Sequence, residues 1–307
     1  MTLTVSIVTP TLNQARYLQR TIDSIRAQTY PVLEHVVMDG GSTDGTHDIL
    51  ARAAADGAVM WASGPDDGMY DAVNKGLART SGDIVAYLPS DDVYLPWAVE
   101  TAVHVFAERP GTDLVFGDGV TYEEDSGTQI LRLYSPFDMV SLANYASLFQ
   151  PAVFWRRRLF ERIGGFDSRM RYVADLDYWL RAAAAGAAID HVREVLAVER
   201  FHLERLSSAQ RDAIREEEVR MRSAHAWAGV GPVARRRASR RHMRWQRWLW
   251  LRFLAASMFR GLPGPWHRFL LEGRVSVRPR RVLSGLWRNR DLRTAMTSGL
   301  AADVIRA

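Results

Sequence analysis

Residues 36–46, Val36-Val37-Met38-Asp39-Gly40-Gly41-Ser42-Thr43-Asp44-Gly45-Thr46, constrain the fold more than any other stretch. An apolar strand enters an acidic, glycine-rich turn that opens a helix. A similar βα unit precedes it, beginning at Val5-Ser6-Ile7-Val8. In open parallel sheets, ligands bind outside the carboxyl ends of the strands, and a strand–turn–helix of this kind is where nucleotides sit. The turn has neither the lysine of a P-loop nor the G-x-G-x-x-G order of a dinucleotide fold. It places a carboxylate, Asp39, at the strand tip, where it suits a base edge or a ribose hydroxyl and would repel a pyrophosphate. Taken alone, the segment also fits a solvated turn in which Asp44 caps the next helix.

The rhythm continues along the chain. Apolar runs at residues 5–9, 33–39, 59–62, 84–88 and 114–116 predict strands. Apolar residues at helical spacing predict helices over 17–27, 46–55, 69–78 and 97–107. This βαβα alternation implies a mainly parallel sheet flanked by helices. Residues 119–134 predict a hairpin turning at Asp125, Ser126 and Gly127, and 152–155 another short strand. Helices are expected over 159–163, ended by Gly164-Gly165, over 175–185, ended by Gly186, and over 206–227 as a charged surface helix.

The charge is unevenly distributed. Residues 1–230 carry 22 basic and 32 acidic side chains, a net of −10, whereas residues 231–307 carry 18 basic and 3 acidic ones, a net of +15. Such a split divides the chain into an acidic catalytic body over 1–230 and a basic helical tail over 231–307 that meets an anionic partner. There is no cysteine, so disulfides and thiolate metal sites are excluded. The N-terminus reads as a strand rather than a signal peptide, and no uncharged apolar run is long enough to span a bilayer.

Beyond the fourth strand comes Tyr87-Leu88-Pro89-Ser90-Asp91-Asp92-Val93. Paired carboxylates at a strand end suit a hard divalent cation completed by water and substrate phosphates, although either could cap the helix that follows. Together with Asp39 at the same sheet edge, they outline a site for a metal-bound diphosphate and a nucleoside.

These residues carry a resemblance. Ser6-Ile7-Val8-Thr9-Pro10-Thr11-Leu12-Asn13, the 39–46 turn, Asp66-Asp67-Gly68-Met69-Tyr70-Asp71-Ala72-Val73-Asn74-Lys75-Gly76 and Gly82-Asp83 occur in order. Ser90-Asp91-Asp92, Gly164-Gly165-Phe166-Asp167 and Ala174-Asp175-Leu176-Asp177-Tyr178-Trp179-Leu180-Arg181 follow them. The ordered set, spanning about residues 3–208, resembles the family 2 inverting glycosyltransferases of the GT-A fold, near the bacterial exopolysaccharide and O-antigen branch. The resemblance implies a nucleotide-diphospho-sugar transferase fold, a UDP- or GDP-linked sugar donor, Mn2+ or Mg2+, and a saccharide or polyprenyl-linked acceptor.

Position by position, the resemblance puts Thr9, Pro10 and Asp39 at the nucleoside, Asp67 beside the nucleotide-sugar and Asn74 in the helix that braces it. Ser90-Asp91-Asp92 stands in place of the D-x-D motif, with Asp92 as metal ligand and Asp91 toward the ribose or donor sugar. Asp175 takes the place of the general base. Asp177 is the competing carboxylate, because Ala174 stands where a Glu is frequent. His202 falls where some GT-A enzymes hold a histidine near the metal or diphosphate, and Gln150-Pro151 falls on the acceptor side. Trp155, Tyr178 and Trp179 are expected in the core or pocket wall. Two other functions compete: a nucleotidyltransferase, for which residues 9–17 lack a glycine-rich basic loop, and a non-catalytic sugar-nucleotide-binding protein.

In the tail, Trp245, Trp248 and Trp250 are interleaved with arginines, and Arg247 and Arg252 interrupt the apolar stretch. This suits a helix lying on an anionic membrane surface, with the enzyme peripheral on the cytoplasmic face. The alternatives are packing on the body or on a second subunit as a homo-oligomer, and single-stranded nucleic acid, which no recognised nucleic-acid fold supports.

Overall fold

The computed structural model describes residues 2–145, 148–202 and 210–224, with isolated positions between 233 and 248. The first half alternates strictly: β1 (Val5–Thr11), α1 (Ala15–Arg26), β2 (Glu34–Asp39), α2 (Thr46–Ala55), β3 (Met60–Ser63), α3 (Met69–Leu77) and β4 (Ile84–Tyr87). Then come β5 (Val93–Tyr94), α4 (Ala98–Glu108), β6 (Leu114–Glu123), β7 (Thr128–Arg132) and α5 (Met139–Tyr145). A 3-10 turn at Gln150–Ala152 leads to β8 (Val153–Arg156), α6 (Arg157–Ile163), α7 (Ala174–Ala184), β9 (Ile189–Phe201) and α8 (Arg211–Ala224).

The described strands form one sheet in the order β3-β2-β1-β4-β8-β6-β9-β5, with β7 paired to β6. Strands β1, β2, β3, β4, β6 and β9 share one direction, and β5, β7 and β8 run against it. The expected mainly parallel, helix-flanked sheet is therefore present. Side chains of successive strand residues point to opposite faces. On one face Val37 packs with Leu18 and Ile22 of α1 and Ile49 and Leu50 of α2. On the other, α3 lies so close that a Cβ on Gly76 would collide with Val8 and come within 3.1 Å of Met38.

Three elements were not foreseen. β9 reads as polar because of Asp190, Arg193, Glu194, Glu199 and Arg200, yet it forms the longest strand. Its charges are matched laterally: Asp190 accepts from Arg109 and Thr112 at 2.8 and 2.6 Å, and Glu199 accepts from Thr121 at 2.9 Å. The two-residue β5 exists only as its antiparallel partner, and α5 lies in a stretch for which the sequence offers no element. The predicted strand at 114–116 and the following hairpin fuse into β6, whose register against β9 shifts around Asp118. Gly117 allows that irregularity, since a Cβ there would lie 2.5 Å from Leu196.

The basic tail expected over 231–307 lies outside the described residues apart from the isolated positions, as do the two ends of the helix expected over 206–227. No described helix is long and apolar enough to cross a membrane.

Candidate active site

The parallel strands β1, β2, β4 and β9 deliver their carboxyl ends to one edge of the sheet, where Thr9, Pro10, Asp39, Asp91, Asp92 and His202 lie at or just beyond the strand ends. At the tip of β2, Asp39 is buried. It accepts hydrogen bonds from the backbone N–H groups of Gly41 and Ser42 at 3.2 and 3.1 Å, from the Ser42 hydroxyl, and from Ser63 at 2.6 Å. His47 Nε2 lies 2.8 Å away. Burial pushes the Asp39 carboxyl up, but the bonds from Ser42, Ser63 and His47 outweigh it and hold the group below its usual range.

The acidic turn is stitched to the loop after β1. The Asn13 N–H donates to Ser42 Oγ at 2.7 Å, and Asn13 Oδ1 accepts from the Thr43 N–H at 2.8 Å. Asn13 sits in the left-handed region (φ 54°), which asparagine tolerates better than most residues. Asp44 accepts from the N–H groups of Ala15 (2.9 Å) and Thr46 (3.2 Å), so one carboxylate caps the starts of both α1 and α2. Asp44 thus does the capping expected of it, and the turn follows the carboxyl end of β2. Thr9 is turned inward, its hydroxyl 2.9 Å from His35 Nε2, and Pro10 is buried beside it, so these two shape the floor of the edge.

After β4, the chain carrying Ser90, Asp91 and Asp92 is fixed to α1 by Thr21, whose hydroxyl lies 2.7 and 2.8 Å from the carbonyls of Ser90 and Asp92. Asp92 is buried and accepts the Arg200 N–H at 2.9 Å. The Asp91 carboxylate meets His202 Nε2 at 3.1 Å, where β9 ends. The resemblance assigns the metal to Asp92, and the geometry places Asp91 as the carboxylate against His202.

Among the described residues, no group of three such ligands converges on one point. The donor set still fits a hard cation, because two carboxylates and an imidazole at one edge leave positions for substrate phosphates and water. The Tyr17 ring lies 4.7 Å from that of His202, and the Arg200 guanidinium sits between the rings of Tyr17 and Tyr122 at 5.2 and 5.5 Å. Tyr17 and Arg200 were not foreseen; their signal would have been a polar strand ending beside His202.

Asp175 and Asp177 share the first turn of α7 and have different surroundings. Asp177 is buried and paired with Arg181 at 2.7 Å. Arg181 also donates to the carbonyls of Ile163 and Gly165 at 2.8 and 2.7 Å, so this pair ties α7 to the end of α6. Asp175 is only partly buried, and its carboxylate accepts the N–H of Leu176 at 2.8 Å. Burial, then the Asp175 charge, push the Tyr70 hydroxyl well above its ordinary range, and it stays protonated.

Asn74 braces the same region: its amide accepts the Phe166 N–H at 2.9 Å and donates to the Phe166 carbonyl at 2.8 Å. Asp67 is exposed in the loop before α3, its N–H donating to Asp71 at 3.1 Å. Gln150 donates to the Tyr87 carbonyl at 3.1 Å, while Trp155, Tyr178 and Trp179 are buried in the core as expected.

A family profile described as Glycosyl transferase family 2 matches residues 6–165. The chain belongs to glycosyl transferase family 2. It is 32% identical over 194 residues to the PGL/p-HBAD biosynthesis glycosyltransferase of Mycobacterium bovis BCG, covering 62% of this chain and 74% of that one. The fold is similar to that of the mannosyltransferase PcManGT from Pyrobaculum calidifontis in complex with GDP-Man and Mn2+ (TM-score 0.53, 21% identity, 99% of this chain and 86% of that chain). It is also similar to S. aureus TarS 1-349 in complex with UDP-GlcNAc (TM-score 0.57, 16% identity, 70% of this chain and 64% of that chain). The family 2 chain thus has the GT-A fold and is a glycosyltransferase, which sets aside the nucleotidyltransferase and non-catalytic readings.

Proposed function

We propose that this family 2 enzyme transfers a sugar, with inversion, from a UDP- or GDP-sugar to a hydroxyl of a saccharide or polyprenyl-linked acceptor in cell-surface glycan synthesis. The observation that carries the reading is the contact of Asp91 with His202 at 3.1 Å, beside the buried Asp92, at the carboxyl ends of β4 and β9 in the same sheet whose β2 ends on Asp39. A related glycosyltransferase of PGL/p-HBAD biosynthesis supports a role in cell-surface glycans, and fold neighbours bound to GDP-Man and to UDP-GlcNAc support the donor class.

Inversion requires in-line displacement at the anomeric carbon. The acceptor oxygen forms the new bond, its proton passes to the Asp175 carboxylate, and the old bond's electron pair leaves with the nucleoside diphosphate. Asp91, Asp92 and His202 would hold Mn2+ or Mg2+, which when bound supplies neutralisation of the departing diphosphate. The turn built on Asp39 faces the nucleoside, with Thr9 and Pro10 as its floor; Asp67 borders the sugar, and Asn74 keeps α3 against the loop leading to α7. The Trp- and Arg-rich tail would keep the enzyme on an anionic, cytoplasm-facing membrane surface near a lipid-linked acceptor.

A panel of nucleotide-sugars, read by released nucleoside diphosphate, tests the proposal. One UDP- or GDP-sugar should be turned over, chelator should abolish the activity, and Mn2+ or Mg2+ should restore it. Full turnover in chelator would remove the metal from the account, and no turnover of any UDP- or GDP-sugar would remove the donor class.

A further inference from the structure

The Asp39 carboxylate is already fully engaged. Its side chain is 0% exposed, and five donors share its two oxygens, which offer about four lone-pair sites. A nucleobase reaches it only by displacing one of them. Two of the donors are backbone N–H groups of the turn itself, and the Ser42 hydroxyl is held in place by the Asn13 N–H at 2.7 Å. His47, in the first turn of α2, is the large side chain of this cluster that meets solvent, with 47% of it exposed.

The bonds fix which ring nitrogen carries the proton. The ionised Asp39 only accepts, and the Ser63 hydroxyl already donates to it, so His47 Nε2 is the donor to both, at 2.8 and 3.0 Å. In the neutral ring Nδ1 is then an acceptor, and it has no hydrogen-bond partner among the described residues. Trp61, on the edge strand β3, packs 5.5 Å from the imidazole, centroid to centroid, and steadies it.

We propose that His47 reads the nucleobase: Nδ1 accepts the imide N–H of uracil or guanine, and Asp39 acts behind it by fixing the tautomer. The inference rests on the nucleoside lying against the Asp39 turn. Uracil N3 and guanine N1 carry a hydrogen where cytosine N3 and adenine N1 carry a lone pair. The nitrogen that binds the first two therefore repels the other two, and a site built around one fixed acceptor discriminates by leaving the wrong base unpaired.

The test measures calorimetric binding of UDP, GDP, CDP and ADP, each with Mn2+, to the full chain and to its His47→Phe and His47→Gln variants. The wild-type chain should bind UDP or GDP more tightly than CDP and ADP. His47→Phe keeps a ring against Trp61 and removes both nitrogens. It should weaken the preferred nucleotide roughly 10-fold, the loss of one hydrogen bond, and leave CDP and ADP within about 2-fold, so the preference collapses. His47→Gln donates to Asp39 through its amide nitrogen and offers its oxygen to the base, so it should recover part of the loss. In transfer assays the change should fall on donor KM rather than kcat.

Equal weakening of all four nucleotides by His47→Phe would give His47 only a structural share in the turn. An undiminished preference would mean that the base displaces His47 and meets Asp39 itself. Either result overturns the proposal, as does a wild-type chain that binds the four alike or prefers CDP or ADP. Binding of neither UDP nor GDP by the wild-type chain overturns the donor class on which the proposal rests.

Discussion

Replacing Asp177 by Asn separates the two carboxylates of α7, because the structure gives Asp177 a mechanical role. Its side chain is 5% exposed and its partner Arg181 27% exposed, and the guanidinium also holds the Ile163 and Gly165 carbonyls. Asn preserves the shape and one acceptor oxygen, so the loss is the charge-assisted share of the bond, about 1–2 kcal/mol. The 3–5 kcal/mol typical of breaking a fully buried pair is not reached, because Arg181 retains contact with water and its two carbonyls. For a domain of this size about 1 kcal/mol moves the melting temperature by roughly 2–4 °C, so Asp177→Asn should melt roughly 2–8 °C lower. Circular dichroism melting and released nucleoside diphosphate are the two readouts. Turnover per folded molecule should stay close to wild type. An unchanged melting temperature with lost turnover would refute the structural role and make Asp177 the base.

Further outcomes follow from the packing of His35, Asn74 and Gly165 and from the charge of the tail. Burial pushes the His35 imidazole down to about 3, whereas an unfolded histidine titrates near 6.5, so between those values the unfolded chain binds the extra proton. His35 should therefore lower stability by about 2 kcal/mol from pH 7 to pH 5; denaturant unfolding of His35→Gln should lack that increment, and equal pH dependence in both proteins would exclude it. Asn74→Ala removes both bonds to Phe166 and should cost about 1–3 kcal/mol. A Cβ on Gly165 would overlap Asn74, so Gly165→Ala should cost less in the Asn74→Ala background, and additivity of the two would contradict the contact. Deleting residues 234–307 should abolish binding to anionic vesicles that the full chain shows at low salt and loses at high salt; a full chain that never sediments with vesicles refutes the membrane role of the tail.

The βα half of the fold was legible because each strand carries a short apolar run and each helix repeats its apolar residues at helical spacing. β9 was not legible, because its charged residues are matched sideways by Arg109, Thr112 and Thr121 on other elements, and sequence alone shows no such partners. The same limit applies to the site. Asp39, Asp91, Asp92 and Asp175 announce themselves by motif and position. Their partners Ser63, His47, Arg200 and His202 come from other elements, and only the topology brings them in. The pairing of Asp177 with Arg181 follows the ordinary i, i+4 rule, so the distinction between Asp175 and Asp177 was partly present in the sequence.

The most direct measurement on the central claim is sugar transfer by Asp175→Asn, made alongside calorimetric binding of the same nucleotide-sugar. With Asp175 as the base, turnover should fall by roughly 10²–10⁴-fold while donor affinity stays at the wild-type value. Wild-type turnover, or a loss confined to donor affinity, would contradict it.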